Sequence, residues 1–275
     1  MFLIPLTSRN YIMRTFLGQN FLKDRAIAEA IVDAARIQPT DTVIEIGPGR
    51  GILTSFIAPR AAKTVAIELD KKLIAPLETA FPSIEILRGD ALKTDYDALT
   101  RGKPAVFIGN LPYCSATAIL AKIITGGFWT RAIFMFQKEV ARRIAAEPAS
   151  GRFGVKETGY LTAFARYYSI PRILFDVNPG SFAPRPKVKS SVVEFVPSPD
   201  EGRLADKRDE RLLFDIVGAA FSQRRKTLLN TLSTLAGQDK KSILQILKIA
   251  GIDPSARAET LDIDDFKKLT LAMGK

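Results

Sequence analysis

The chain has 275 residues, 47% hydrophobic and 25% charged, with 40 Lys and Arg against 29 Asp and Glu. That length allows one large domain plus a smaller one, and the net charge of +11 favours polyanionic partners such as nucleic acid or an anionic membrane surface. With no histidine and one cysteine, Cys114, it excludes His-dependent triads, HExxH zinc sites, disulfide frameworks and Cys-rich metal clusters, so no metal site is expected. Catalysis is left to carboxylates, amides, hydroxyls, aromatics, lysines or a reactive cofactor.

The opening "MFLIPLTSRNYIM" has no basic residue before its apolar stretch and is interrupted by Pro5, unlike a signal peptide. No stretch approaches the roughly 20 apolar residues that span a bilayer. A cytoplasmic protein with an N-terminal arm and no membrane partner is expected, and the lone thiol suits a reducing compartment. Residues 24–36 repeat apolar side chains at helical spacing behind Asp24 as N-cap. "TVIEIG" is a short strand ending in glycine, and "ILTSFIAPRA" follows as a helix. "KTVAIELD", "SIEILRGDAL" and "PAVFIGNLPY" read as further strands, with "KKLIAPLETAF" and "SATAILAKIIT" as helices. In "RAIFMFQKEVARRIAA" a strand passes into a basic helix. This alternation predicts an α/β fold with a parallel sheet covered on both faces, and ligands beyond the C-terminal strand ends.

From Pro197 the texture changes. "PSPDEGRLADKRDE" is polar and turn-forming, and three helical stretches follow it, the last opening with Asp262 as cap. The expected division is a catalytic domain over 1–200 and a small all-helical domain over 201–275.

The unusual residues gather at strand ends. "EIGPGRG" (45–51) places three glycines where backbone must pass close to a ligand. Its spacing is not the dinucleotide fingerprint G-x-G-x-x-G, and resembles instead E-x-G-x-G-x-G of S-adenosylmethionine-dependent methyltransferases. Glu68, ending the next strand, can accept both hydroxyls of a ribose, whereas Asp70 suits a helix cap. Asp90 in "GDAL" can accept from an adenine amino group. At the fourth strand end, "NLPY" places Asn110, Leu111, Pro112 and Tyr113 together. An exocyclic amine of adenine or cytosine is a poor nucleophile because its lone pair is delocalised into the ring. The Asn110 side-chain oxygen and the Leu111 carbonyl can each accept one of its N–H bonds, while Pro112 fixes the turn and Tyr113 stacks on the base. Cys114 is read as a small buried residue, since methylation at nitrogen needs no covalent intermediate, and Trp129 as core.

The motif series resembles the ribosomal small-subunit adenine N6,N6-dimethyltransferases. It runs from about Arg14 to the end: "LGQNFL", "EIGPGRG", "ELD", "GDAL", "NLPY", "FQKEVARRI", "FAPRPKVKSSV", "FSQRRKTLLN" and "GIDPSARAETLDIDDF". The resemblance implies a Rossmann-like S-adenosylmethionine-dependent methyltransferase domain with a small helical C-terminal domain. The implied substrate is a pair of adjacent adenines near the 3′ end of small-subunit ribosomal RNA within an assembling subunit, and the implied enzyme is a monomer linked to subunit maturation. Gln19, Asn20, Leu22, Gly47, Gly49, Glu68, Asp90 and Asn110 would bind the cofactor. Asn110, Leu111, Pro112, Tyr113 and Phe182 would hold the target base, Phe182 closing an aromatic sandwich opposite Tyr113.

Two departures stand out: Asn20 replaces the family's usual His, and Ala165 stands where a glutamine is expected, within a differently spaced 151–168. The basic residues Arg142, Arg143, Arg185, Lys187, Lys189, Arg224, Arg225 and Lys226 would contact RNA phosphates, with 223–226 on a helix. Three rivals remain at this stage: a non-catalytic RNA-binding assembly factor, a nicotinamide-dependent oxidoreductase and a DNA adenine methyltransferase.

Overall fold

The structure is a computed structural model that describes residues 20–147, 157–199, 202–235 and 239–274. The chain forms two compact units, Met1–Ala141 with Ile170–Pro197, and Arg142–Ser169 with Ser198–Lys275.

The first unit is built on a seven-stranded sheet ordered β4-β3-β2-β5-β6-β9-β7. Its parallel part is β2 (Thr42–Ile46), β3 (Lys63–Glu68), β4 (Glu85–Arg88), β5 (Ala105–Gly109) and β6 (Trp129–Gln137). The central runs "VIEI", "TVAIE" and "AVFIG" are buried at every position, as strands covered on both faces must be. Sheet order steps outward from β2 to β4 and returns to β5 beside β2. The switch point therefore lies between the ends of β2 and β5. Gly109 makes that pairing possible, because a Cβ there would sit 2.7 Å from the Ile46 carbonyl oxygen.

Helix α1 (Arg25–Ala35) starts where Asp24 accepts a hydrogen bond from the Ile27 N–H, and it buries Ala28, Ile31, Val32 and Ala35. Asp70 caps the helix Lys71–Ala80, as its sequence position predicts. Trp129 is buried in β6. The helix expected over "ILTSFIAPRA" is only Thr54–Ile57.

Two strands escape the alternating pattern. β9 (Ser190–Pro197) runs antiparallel to β6, and β7 (Ser169–Val177) forms the sheet edge. Their polar residues are satisfied only in three dimensions. The nearly buried Glu194 carboxylate meets Arg131 from β6 and Arg172 from β7, and Ser191 donates to Asp176. Two short strands, β1 (Phe21–Leu22) and β8 (Phe182–Ala183), pair separately.

The second unit is helical but begins earlier than the expected 200/201 boundary, taking in 142–169. The helix Tyr160–Tyr168 belongs to it because Tyr160, Phe164, Tyr167 and Tyr168 all pack around Phe214 of the helix Lys207–Phe221. Such an aromatic cluster contributes beyond its buried area. Ala165 is fully buried on this helix, so the side chain at that position serves packing. The long helix expected through "FSQRRKTLLN" stops at Phe221 and resumes at Leu228–Leu232. Residues 223–226 form a turn instead, since the run offers no apolar side chain to bury and the Leu228 N–H is taken by the Ala256 carbonyl. Asp262 caps the last helix, Ile263–Met273, through a reciprocal bond pair with Asp265.

Candidate active site

At the switch point lies an open cleft. It is lined from four strand ends by Gly47 and Gly49, Glu68, Asp90, and Asn110 to Tyr113, with Asn20 and Leu22 alongside. The structure thus brings Gly47, Gly49, Glu68, Asp90 and Asn110 to Tyr113 together, whereas the third glycine, Gly51, does not line the cleft and lies against the Phe81 ring, which leaves no room for a Cβ. Gln19 lies outside the described residues.

The glycine turn adopts left-handed backbone at Gly47 and Gly49, φ +67° and +61°, which other residues reach only with strain. The Phe21 ring lies against Gly49, 3.1 Å from where a Cβ would stand, and Arg50 covers that ring at 4.9 Å. Phe21 was not singled out from sequence, although it sits within "LGQNFL".

Glu68 is nearly buried and accepts from the Gly49 N–H (3.1 Å) and the Asp70 N–H (2.8 Å). Burial raises its pKa, and these backbone donors oppose the rise. Each carboxylate oxygen keeps a further lone pair, which suits the two hydroxyls of a ribose. Asp90 is half-buried, with one oxygen accepting from the Leu92 N–H (2.9 Å). Its other oxygen can accept from an exocyclic amine, and Ile67, Leu69, Ala91 and Ile119 supply apolar walls for a flat ring. A carboxylate for ribose, one for an adenine amine and glycines admitting close backbone approach together fit S-adenosylmethionine.

Behind this surface, Glu45 is fully buried. It accepts from the Thr54 hydroxyl at 2.7 Å, while its other oxygen has no hydrogen-bond partner among the described residues. Burial, aided by the nearby Glu68 charge, lifts its pKa to about 7 against the Thr54 hydrogen bonds. The folded state therefore binds this proton more tightly than the unfolded chain, so unfolding free energy falls as pH rises from about 4.5 to 7. The Glu45→Gln variant should lack this slope. The stability difference between variant and wild type should shift by about 2 to 3 kcal/mol from pH 5 to pH 8. Urea unfolding followed by fluorescence of the sole tryptophan, Trp129, measures it; parallel pH profiles would refute it.

Asn110 donates its side-chain N–H to the Asn20 carbonyl at 3.1 Å, which leaves its oxygen as the outward acceptor. The Leu111 carbonyl receives no hydrogen bond among the described residues. The Pro112 carbonyl accepts from the Ser115 and Ala116 N–H groups, anchoring the turn to the helix Ala116–Ile124. Tyr113 shares a 2.7 Å hydroxyl hydrogen bond with the buried Ser190, and burial raises its pKa, so the phenol stays neutral. Ser190 escaped notice in the sequence because nothing local ties it to Tyr113.

Two expectations fail. Phe182 does not line the cleft that Tyr113 lines. It is 2% exposed, in one buried cluster with its strand partner Leu22 and with Ile133, Met135 and Val192. Cys114 is exposed rather than buried, because Tyr113 and Ser115 take the inward positions of the turn. The basic residues at 142, 143, 185, 187, 189, 225 and 226 are exposed, as is Arg224, which also donates to the Thr158 carbonyl.

The sequence profile of the ribosomal RNA adenine dimethylase family matches residues 11–273. A "Ribosomal RNA small subunit methyltransferase A" from Alkaliphilus metalliredigens is 43% identical, over 92% of this chain and 89% of its own. The protein of the same name from Geobacter metallireducens is 40% identical over 94% and 95%. Among solved structures, a dimethyladenosine transferase from Plasmodium falciparum aligns with TM-score 0.76 and 29% identity, covering 92% of this chain and 97% of that one. The 23S rRNA methyltransferase ErmE shares the fold at TM-score 0.71 and 24% identity, over 93% and 100%. With its strand-end motifs converging on one cleft and the family profile spanning nearly its whole length, the chain belongs to the ribosomal RNA adenine dimethylase family.

Proposed function

We propose that the protein transfers methyl groups from S-adenosylmethionine to N6 of two adjacent adenines near the 3′ end of small-subunit ribosomal RNA, giving N6,N6-dimethyladenine. The observation that carries this reading is the Asn110 amide, held through its nitrogen by Asn20 so that an oxygen faces outward beside the Leu111 carbonyl. S-adenosylmethionine supplies an electrophilic methyl group on a sulfonium sulfur.

The residues do the rest by positioning. Glu68 takes the ribose hydroxyls, Asp90 the adenine amine, and Gly47 and Gly49 admit the chain between them. The flipped target base stacks on Tyr113, whose ring is steadied by Ser190. In the first transfer Asn110 and Leu111 accept the two N6–H bonds, and in the second the one that remains. This localises the nitrogen lone pair toward the methyl group and favours the positive charge N6 gains. Each transfer leaves S-adenosylhomocysteine and releases one N6 proton to water through the open cleft. Phe182 would join the clamp only after leaving the core.

The protein acts as a cytoplasmic monomer on an assembling small subunit, and methylation accompanies subunit maturation. Among the described residues no helix is long and apolar enough to cross a membrane. Exposed Arg185, Lys187 and Lys189 of the first unit, and Arg142, Arg143, Arg224, Arg225 and Lys226 of the second, bind phosphates.

The test is transfer of labelled methyl groups to undermethylated small subunits, followed by nucleoside analysis of the digested RNA. Dimethyladenosine confined to small-subunit RNA is the expected result. Cofactor binding without transfer, on subunits that a known enzyme methylates, would leave an RNA-binding assembly factor as the better account.

A further inference from the structure

The segment that carries Asp90 to the cleft, 89–95, has no regular secondary structure, yet most of its carbonyls are engaged. Asp90 O accepts from the Lys93 and Thr94 N–H groups, closing a turn. Ala91 O accepts the hydroxyl of Tyr96 at 2.9 Å. Leu92 O and Thr94 O both accept from one atom, Nζ of Lys122, at 2.8 and 2.5 Å. The same ammonium lies 5.1 Å from the centroid of the Tyr96 ring. Tyr96 is itself packed edge-on against Phe107 of β5.

Lys122 stands on the helix Ala116–Ile124, which begins at the NLPY turn, one helical turn beyond Ile119 of the cleft wall. It is half-buried. Desolvation lowers its pKa, while the neighbouring Asp90 and Asp95 carboxylates hold the charge in place. Burying the ammonium is tolerable because it bridges two carbonyls and a ring face.

We infer that Lys122 is a positioning residue for cofactor recognition: it staples the 90–94 loop to the helix that follows the methyl-transfer turn, and so presets the Asp90 carboxylate for the adenine amine. Without the staple the loop keeps its own turn but loses its fixed distance from the opposite wall. The loss falls on binding and on selectivity for the amine, and only weakly on the transfer step. The inference rests on the Asp90 role proposed above.

The test uses the full chain and calorimetric affinities for S-adenosylhomocysteine and for its inosine analogue, which lacks the adenine amine. Lys122→Met should weaken S-adenosylhomocysteine binding about tenfold, the scale of losing hydrogen bonds from a charged donor, and barely change binding of the analogue. Selectivity between the two should fall accordingly. KM for the methyl donor should rise in step, with kcat changed less than about twofold. Asp90→Asn should cause a similar loss, and the double variant should be no weaker than the weaker single, because both act through one contact. Lys122→Arg should recover most of the affinity.

Equal losses for both ligands, or losses that multiply in the double variant, would make Lys122 a general stabiliser and overturn the inference. Asp90→Asn weakening binding while Lys122→Met does not would sink the Lys122 role alone. If Asp90→Asn leaves affinity and selectivity intact, the Asp90 assignment falls and takes this inference with it. A Lys122→Met protein that fails to fold would shift the reading to Lys122→Gln, for which the same selectivity loss is required.

Discussion

Asn110→Ala should lower the single-turnover methyl-transfer rate about 10²- to 10³-fold at saturating cofactor and RNA, with cofactor affinity changed less than about threefold. The rate figure is that of removing one preorganised hydrogen-bonding group from a developing charge. The target nitrogen would keep the Leu111 carbonyl but lose the acceptor that orients its second N–H. Cofactor contacts from Glu68, Asp90 and the glycine turn are made by other elements and should survive. Single-turnover rates on undermethylated subunits and calorimetry with S-adenosylhomocysteine separate the two quantities. Equal losses in rate and affinity would reassign Asn110 to the cofactor. Asn110→Asp should be no milder, since it sets a carboxylate oxygen against the Asn20 carbonyl that now receives an N–H.

RNA affinity should depend steeply on salt. If six phosphates are neutralised, raising monovalent salt from 50 to 200 mM should cost about 10³-fold in binding. The loop that ends at Ser190 offers the sharpest test, because Arg185, Lys187 and Lys189 are all exposed there. Replacing the three by glutamine should reduce the slope of log affinity against log salt by about two to three. None of the three lines the cleft, and Lys189 acts on the Asp176 carboxylate of β7, so cofactor binding should be unaffected. An unchanged slope would mean that these cations are merely solvated.

The parallel sheet and its cleft were legible because each strand announces its own end. Glycines, Glu68, Asp90 and the Asn-Leu-Pro-Tyr turn are local signals, and sheet topology gathers them at one edge without further information. Helix caps at Asp24, Asp70 and Asp262 were equally local. The two strands beyond β6 were not. β7 contains Pro171 and Arg172, and β9 buries Ser190, Ser191 and Glu194, whose partners are Tyr113, Asp176, Arg131 and Arg172. A buried glutamate reads as a solvated one until the strands that supply its arginines are known. The same distance hid the allegiance of Tyr160–Tyr168, whose aromatic partner Phe214 is about fifty residues further on. Phe182 and Cys114 were misplaced for a related reason: motif membership gives a residue's neighbourhood, not which way its side chain turns.

The bond from Asn110 to Asn20, ninety residues away in sequence, divides one amide between a backbone carbonyl and the target base. An asparagine side chain is nearly symmetric in shape and opposite in polarity, so a half-turn about its last rotatable bond would exchange acceptor for donor. Nothing on the Asn110 side chain itself forbids that exchange. The peptide beside the cofactor cleft does, by claiming the nitrogen. The peptide that precedes β1 therefore also sets the sign of the atom that meets the target base, and because the acceptor is a main-chain carbonyl, any side chain at position 20 leaves that setting in place.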